Sequence, residues 1–357
     1  MKQVSITGPN EWVLGEVEAP RPPDGWLLIA PLRVGICGTD VELLDGSMVY
    51  FETGQATRPL TPGHEWAGCV IGWAPGVTGF SVGQVVTGEN LIGCGHCELC
   101  AAGQYAICED RCEAGLFGLP GALSGFIVRP REWVYPLPGE VSLADAAMIE
   151  PTTVSYRGIK RLRLPQDAQK VHVIGGGTLG YIAAELLRSE AFGLDVAVSA
   201  KRPESIARAI SVGARLPEEG ERFPFAIEVA GGSTSVADGL RALLPGGRLV
   251  SIGFTGLSMV PIPLDQLVVQ DQEIIGSLAA PGVWPEVVDL IARKVVHPSA
   301  LVTDEFSLDE YGKAIDLLNL RLTSTGKVLI HTHESVEAAQ EAAIAEFGAE
   351  ELASLRR

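Results

Sequence analysis

The sequence predicts an α/β protein of two domains, a β-rich first domain followed by a doubly wound parallel sheet. Three observations predict it. The chain has 357 residues, more than one small hydrophobic core ordinarily serves. Up to about residue 138 its apolar runs are short and cut by Gly and Pro, as at 26–30, 67–72 and 84–87, which is the texture of irregular, strand-rich structure. From about residue 162 the pattern becomes an alternation, with strands expected at 170–174, 195–199, 225–229, 248–252 and 273–275 and helices at 178–189 and 203–212. Such β–α alternation builds parallel sheets, because each crossover needs a helix.

The expected divisions are 1–152 for the β-rich domain, 153–290 for the sheet domain, and 291–357 for a return to the first domain that ends in a helical tail. An amphipathic helix after Trp284, a segment at 301–305, a helix over 308–320 and a strand at 326–331 make up the last part of the chain before the tail. The tail, 334–357, is rich in Ala and Glu and carries Val336, Ala339, Ile344 and Phe347 at roughly helical spacing. It reads as a packing or assembly helix, or equally as a loosely docked appendage. No internal repeat is present.

Composition excludes several classes of function. With 27 basic against 44 acidic residues the formal charge is -17, which repels nucleic acid and anionic membrane. No stretch of 18 or more apolar residues occurs, and residues 1–10 lack a basic segment followed by an apolar one, so a cytoplasmic protein with no membrane partner is expected. The seven cysteines, at 37, 69, 94, 97, 100, 108 and 112, are odd in number and crowded. That suits metal-bound thiolates in a reducing compartment better than a disulfide framework.

Cys94, Cys97, Cys100 and Cys108 form C-x2-C-x2-C-x7-C among glycines that let a loop wrap around an ion. Four thiolates fill the tetrahedron of a zinc ion and leave no open position, so this zinc is expected to hold the loop and do no chemistry. Cys112 competes with Cys108 for the fourth place, while His96, between two ligands, is expected to point away. A catalytic zinc needs three ligands from separate segments and one free position. Cys37 in Gly35-Ile-Cys-Gly-Thr-Asp40, His64 in Pro62-Gly-His-Glu65, and Glu150 before Pro151 are the candidates.

Gly175, Gly177 and Gly180 make G-x-G-x-x-G directly after the strand 170–174 and at the start of a helix, with Thr178 and Leu179 completing the turn. The first glycine permits the turn, the second lets backbone approach a pyrophosphate, and the third lets helix and strand pack closely. Phosphates there meet the free N–H groups of the helix N-terminus. An acid at the end of the second strand would bind an adenosine ribose and repel a 2′-phosphate. Here Ala200 takes that place, and Ser199, Lys201 and Arg202 form a phosphate pocket. NADP is therefore expected over NAD.

Taken in order, GICGTD, PGHE, the four-cysteine loop, the Glu-Pro pair and the glycine turn resemble the medium-chain zinc alcohol dehydrogenase family, over about residues 1–331. The resemblance implies a GroES-like catalytic domain, a Rossmann cofactor domain and a cleft between them. It implies two zinc ions per chain, with Cys37, His64 and Glu150 as ligands of the catalytic one and Glu65 as an alternate carboxylate ligand. It gives Asp40 as the partner that fixes the His64 tautomer and Thr39 as the hydroxyl that relays the substrate proton. A carboxylate third ligand is similar to the polyol, sugar and threonine dehydrogenase branches. The histidine that threonine dehydrogenases carry after GTD is replaced by Glu42. Glu42 and Glu113, the latter in a stretch similar to glucose dehydrogenases, are candidate contacts for a small polyhydroxylated substrate. A homo-dimer or homo-tetramer is implied by the resemblance alone. The competing readings are an amino-alcohol or threonine-type NAD dehydrogenase and a non-catalytic binding protein on the same fold.

Overall fold

The computed structural model describes residues 1–256, 258–320 and 326–356, and the chain divides into two compact units. The first comprises Met1–Glu150 and Pro298–Arg357, the second Pro151–His297.

The first unit is built on a seven-stranded sheet. Its central strand, Trp26–Ile36, pairs antiparallel with Glu65–Trp73 on one side and with Lys327–His331 on the other. Val302–Ser307, Val85–Gly88 and Val134–Pro136 extend the sheet, and Ile127–Pro130 pairs with the first residues of the central strand. Alternation along the central strand feeds two cores: Leu27 and Ile29 enter one, Leu28, Ala30 and Leu32 the other. The register shifts between Pro31 and Arg33, and beyond it Val34 and Ile36 fall on the side of Leu27 and Ile29. A bulge of this kind changes which face a residue serves, and beyond it Gly35 pairs with Glu65, the residue after His64.

The tail proves to be part of this unit's core. Helices Val336–Phe347 and Ala349–Ser354 meet at Gly348, whose φ of 76° lies in the left-handed region that glycine adopts without penalty. They bury Ala339, Ala343, Phe347 and Leu352 against Leu28, Leu32, Cys69 and Ile71 of the sheet. The Leu355 carbonyl accepts the Trp73 N–H at 2.6 Å, and Met1 and Arg21 pair with Glu346 and Glu351. The helix expected over 308–320 is a short 3-10 turn at Leu308–Glu310, capped by Ser307 and Glu310, followed by Tyr311–Asn319. Arg357, the last residue of the expected tail, lies outside the described residues.

The second unit carries five parallel strands in the order Asp195–Ser199, Lys170–Ile174, Phe223–Glu228, Leu243–Ser251, Glu273–Gly276. From Lys170–Ile174 the chain passes outward through helix Thr178–Arg188 to Asp195–Ser199, then returns to the other side at Phe223–Glu228. That reversal is a switch point, where strand ends diverge and leave a crevice for ligand. Helices Pro151-containing Ile149–Arg161, Ser235–Arg241 and Leu264–Val269 escape sequence reading, the last two because six or seven residues carry too little periodicity. Pro151 is compatible with helix because it falls in the first turn, where its missing N–H has no intrahelical partner to lose.

Candidate active site

Cys37 closes the central strand and serves as N-cap of helix Gly38–Asp45, whose third residue is Asp40. The Asp40 carboxylate is fully buried and ties two segments together. Its Oδ2 accepts the Cys37 N–H at 2.8 Å and its Oδ1 the Gly63 N–H at 3.1 Å, while His64 Nδ1 lies 3.5 Å from Oδ1. Burial opposes ionisation of Asp40, but His64 and those two N–H groups outweigh it and hold its pKa below the ordinary value. Burial likewise disfavours a charged His64, yet Asp40 and then Cys37 raise its pKa well above the ordinary value. With Nδ1 turned to Asp40, Nε2 is the ring atom left for a metal.

The ligand atoms of Cys37, His64 and Glu65 lie within 4.8 Å of one another. One thiol, one imidazole and one carboxylate make a three-donor set with a fourth position open, which is the donor chemistry of a catalytic zinc. Glu150, expected as the third ligand, is not in this trio, and Glu65, expected as the alternate, is. Glu150 is nevertheless buried close by: burial raises its pKa, and the charges of His64, Glu65, Lys327 and Glu113 all act on it. Sequence order could not separate the two carboxylates, because their distance from Cys37 depends on how three segments meet. Lys327, missed by sequence reading, forms a buried ion pair with Glu65. Burial alone would discharge it, but Glu65 and Cys37 keep its pKa raised. Gly35 makes room for that pair, since a Cβ there would stand 2.2 Å from Glu65 Oε2 and 2.9 Å from Lys327 Cε.

Thr39 Oγ1 is 4.0 Å from Cys37 Sγ. Glu113 is buried, with an Oε2 that has no hydrogen-bond partner among the described residues. Its pKa is raised by burial and lowered in part by Tyr50, His64 and Arg111, so it and Tyr50 belong to the surroundings of His64. Glu42 is half-buried, its pKa raised by burial and then by Asp45, and no described interaction joins it to the trio.

The cysteine loop holds its four sulfurs within 4.8 Å of one another, with Cys94–Cys100 at 3.9 Å and Cys97–Cys108 at 3.7 Å. A tetrahedron with ~2.3 Å metal–sulfur bonds has edges of about 3.8 Å, so the set fits zinc. Cys112 stands outside the set, in the strand Cys112–Glu113. The His96 ring Nδ1 is engaged by the Cys94 carbonyl at 2.9 Å. His96 also groups with Cys94 and Asp110, but both it and Asp110 are solvent-exposed and Cys94 is shared with the four-sulfur set.

In the second unit a cavity of about 630 Å³ is lined by Gly175, Gly176, Gly177, Ser199, Lys201 and Arg202 among others. Gly175 has φ 119°, and a Cβ on Gly180 would stand 2.0 Å from the Gly175 carbonyl oxygen, so the turn and the close packing both require glycine. At Gly177 a Cβ would meet nothing within 4 Å. The protein therefore does not need glycine there, whereas a pyrophosphate resting on the helix start does. Thr178 begins the helix and Leu179 follows it, its carbonyl accepting the Ser155 hydroxyl at 3.1 Å.

The first unit carries two zinc-type donor sets, and the second carries a parallel sheet with a glycine turn and a cavity of the kind that takes a dinucleotide. Residues 23–139 match the alcohol dehydrogenase GroES-like domain. Erythritol/L-threitol dehydrogenase of Mycolicibacterium smegmatis is 28% identical over 89% of this chain and 94% of its own length, and sorbitol dehydrogenase of Halalkalibacterium halodurans is 24% identical over 86% and 92%. A zinc-binding dehydrogenase of Sinorhizobium meliloti solved bound to NADP superposes with a TM-score of 0.84 at 25% identity, covering 92% of this chain and 98% of that one. Over about nine-tenths of its length the chain is thus similar to zinc-dependent alcohol and polyol dehydrogenases, and residues 23–139 carry their GroES-like domain.

Proposed function

We propose that the chain interconverts a secondary alcohol of a polyol, sugar or cyclitol and the matching carbonyl, exchanging hydride with a nicotinamide dinucleotide, NADP in preference to NAD. The observation that carries this reading is the trio of half-buried Cys37 with buried His64 and Glu65, tied by Asp40 through both of its ligand-bearing segments. Zinc held there would supply Lewis acidity toward the substrate oxygen, and the nicotinamide would carry the hydride. Asp40 fixes the His64 ring so that Nε2 stays available. Thr39, at the start of the same helix, takes the proton from the substrate hydroxyl and passes it on. Glu113, with a buried and unengaged carboxyl oxygen, accepts a hydrogen bond from a further substrate hydroxyl, and Tyr50 beside it narrows the space. Glu42 is a more distant candidate for the same task. Glu150 supplies a second carboxylate behind the trio, able to exchange with Glu65 when Lys327 holds the latter. Cys94, Cys97, Cys100 and Cys108 would hold a second, structural zinc.

Relatives named erythritol/threitol and sorbitol dehydrogenases favour the polyol reading. L-threonine 3-dehydrogenase of Vibrio atlanticus, 27% identical, favours the amino-alcohol alternative, against which stands Glu42 in place of a histidine. Ser199, Lys201 and Arg202 around the cavity, with Ala200 where an acid would select NAD, support NADP. A cytoplasmic setting is supported by seven free thiols, and none of the described helices is long and apolar enough to cross a membrane. Assembly as a dimer or tetramer is supported by Met259, Leu264, Val268 and Val269, large apolar side chains left exposed in the second unit. The test is metal content by mass spectrometry with fluorescence titration of NADPH and NADH, followed by a polyol, sugar and L-threonine screen. Two zinc ions per chain, tighter NADPH and turnover of a polyol are expected. One zinc and no binding of either dinucleotide would overturn the reading.

A further inference from the structure

His172 lies on the strand Lys170–Ile174 and lines the same cavity as Ser199, Lys201 and Arg202. Its imidazole is only 6% exposed, stacks on Phe223 at 4.8 Å, and brings Nε2 to 2.8 Å from Ser199 Oγ. The residue plays no part in the chemistry described above. A histidine in the middle of a buried parallel strand, where Val, Ile or Leu would pack at no polar cost, calls for a reason.

Burial pushes its pKa down to about 4, with Glu221 opposing weakly, so at neutral pH the ring is uncharged and one nitrogen carries the proton. Nδ1 is buried and has no hydrogen-bond partner among the described residues. If Nδ1 carried the proton, a donor would be orphaned in the interior, which costs more than an acceptor left without a partner. The proton therefore belongs on Nε2, and Nε2–H donates to Ser199 Oγ. The serine oxygen being thus occupied, its own hydrogen is left to point into the cavity as a donor. A donor at that position suits an anionic oxygen better than a ribose hydroxyl, because charge-assisted hydrogen bonds are roughly twice as strong as neutral ones. Exposed Lys201 and Arg202 flank it with positive charge.

We infer that His172 is a positioning residue for dinucleotide choice: it holds the Ser199 hydroxyl as a donor toward the 2′-phosphate of NADP. The inference rests on the NADP reading given above. Its test is the dissociation constant of NADPH and of NADH, by fluorescence, for the full zinc-loaded chain, for three single variants and for the double variant His172→Phe with Ser199→Ala. His172→Phe keeps a ring on Phe223 but has no N–H, His172→Gln returns an N–H near the place of Nε2, and Ser199→Ala removes the hydroxyl. His172→Phe and Ser199→Ala should each weaken NADPH about tenfold and leave NADH within about twofold, with no further loss when combined. His172→Gln should restore most of the NADPH affinity, which a merely structural role for the ring would not predict. Should His172→Phe not fold, loss of preference in Ser199→Ala with retention in His172→Gln carries the same meaning, and loss in both, or in neither, overturns it. A wild-type chain that prefers NADPH and a His172→Phe chain with the same preference would overturn the inference and leave the NADP reading standing. A wild-type chain that binds NADH as tightly as NADPH would overturn that reading, and the inference with it.

Discussion

Gly177 and Gly180 make opposite demands within one turn, and alanine at each separates binding from folding. At Gly177 the backbone has φ −74° and ψ −164°, open to any L-residue, and a Cβ would meet nothing within 4 Å. Gly177→Ala should thus keep the wild-type stability within about 0.5 kcal/mol, or gain up to about 1 kcal/mol from a stiffer unfolded chain. The methyl would occupy the surface on which a pyrophosphate rests, and a contact loss of about 1.4 kcal/mol or more weakens NADPH at least about tenfold. Gly180 lies within the helix Thr178–Arg188, where alanine improves helix propensity by about 1 kcal/mol. Its Cβ would stand 2.0 Å from the Gly175 carbonyl oxygen, a backbone atom that cannot swing aside, and overpacking of this kind costs about 1–3 kcal/mol or more. The clash outweighs the propensity, so Gly180→Ala should melt lower than wild type. Circular dichroism melts and NADPH titrations on both variants are the assay. Gly177→Ala binding NADPH within about twofold of wild type, or Gly180→Ala melting at the wild-type temperature, would refute the assignment of one glycine to ligand and the other to packing.

Three further outcomes are expected. Asp40→Asn keeps the shape but puts an amide N–H against one of the two N–H groups that Asp40 now satisfies, so zinc bound by the first unit should be retained about 10–100-fold more weakly; competition with a chelator measures it, and unchanged affinity would show that Asp40 does not hold His64. Glu89 accepts the Tyr105 and Tyr135 hydroxyls at 2.7 and 2.6 Å, yet burial raises its pKa to about 7, those hydroxyls offsetting only part. A raised carboxyl pKa gives stability that is full below the unfolded value of 4.5 and is lost as pH climbs through about 7, so Glu89→Gln should gain on wild type across that window by up to about 3 kcal/mol; parallel urea melts at pH 5 and pH 8 that differ by the same amount in both proteins would exclude it. Phe347→Ala removes a ring that is 7% exposed and packed edge-on against Phe126 at 5.3 Å, and should cost about 3–5 kcal/mol in urea unfolding. A cost under about 1 kcal/mol would mean that the tail is not part of the core.

The cysteine loop and the glycine turn were legible because their chemistry is local. Four thiols within fifteen residues can meet around one ion whatever the rest of the chain does, and a glycine turn after an apolar strand carries its own reasons for each glycine. The strands from Lys170 to Ser251 were legible as short, mostly apolar runs, as strands covered on both faces tend to be, whereas the helices Ser235–Arg241 and Leu264–Val269 of the same unit were not. The tail was not, because alanine-rich helices look alike whether they dock or hang free, and only the apolar back of the sheet around Leu28 and Ile71 decides between them.

By itself, then, the sequence determined the α/β class, the order of the parts and the residue types able to hold metal and phosphate, all properties of short segments. Tertiary structure alone decided which carboxylate stands with Cys37 and His64, brought Lys327 to Glu65 across 262 positions of chain, and set His172 against Ser199 on a neighbouring strand. The physical reason is that hydrogen-bond and ligand geometry acts over 3–4 Å, about the length of one residue. No spacing in sequence reports a distance that small between segments whose approach is fixed by the packing of everything around them.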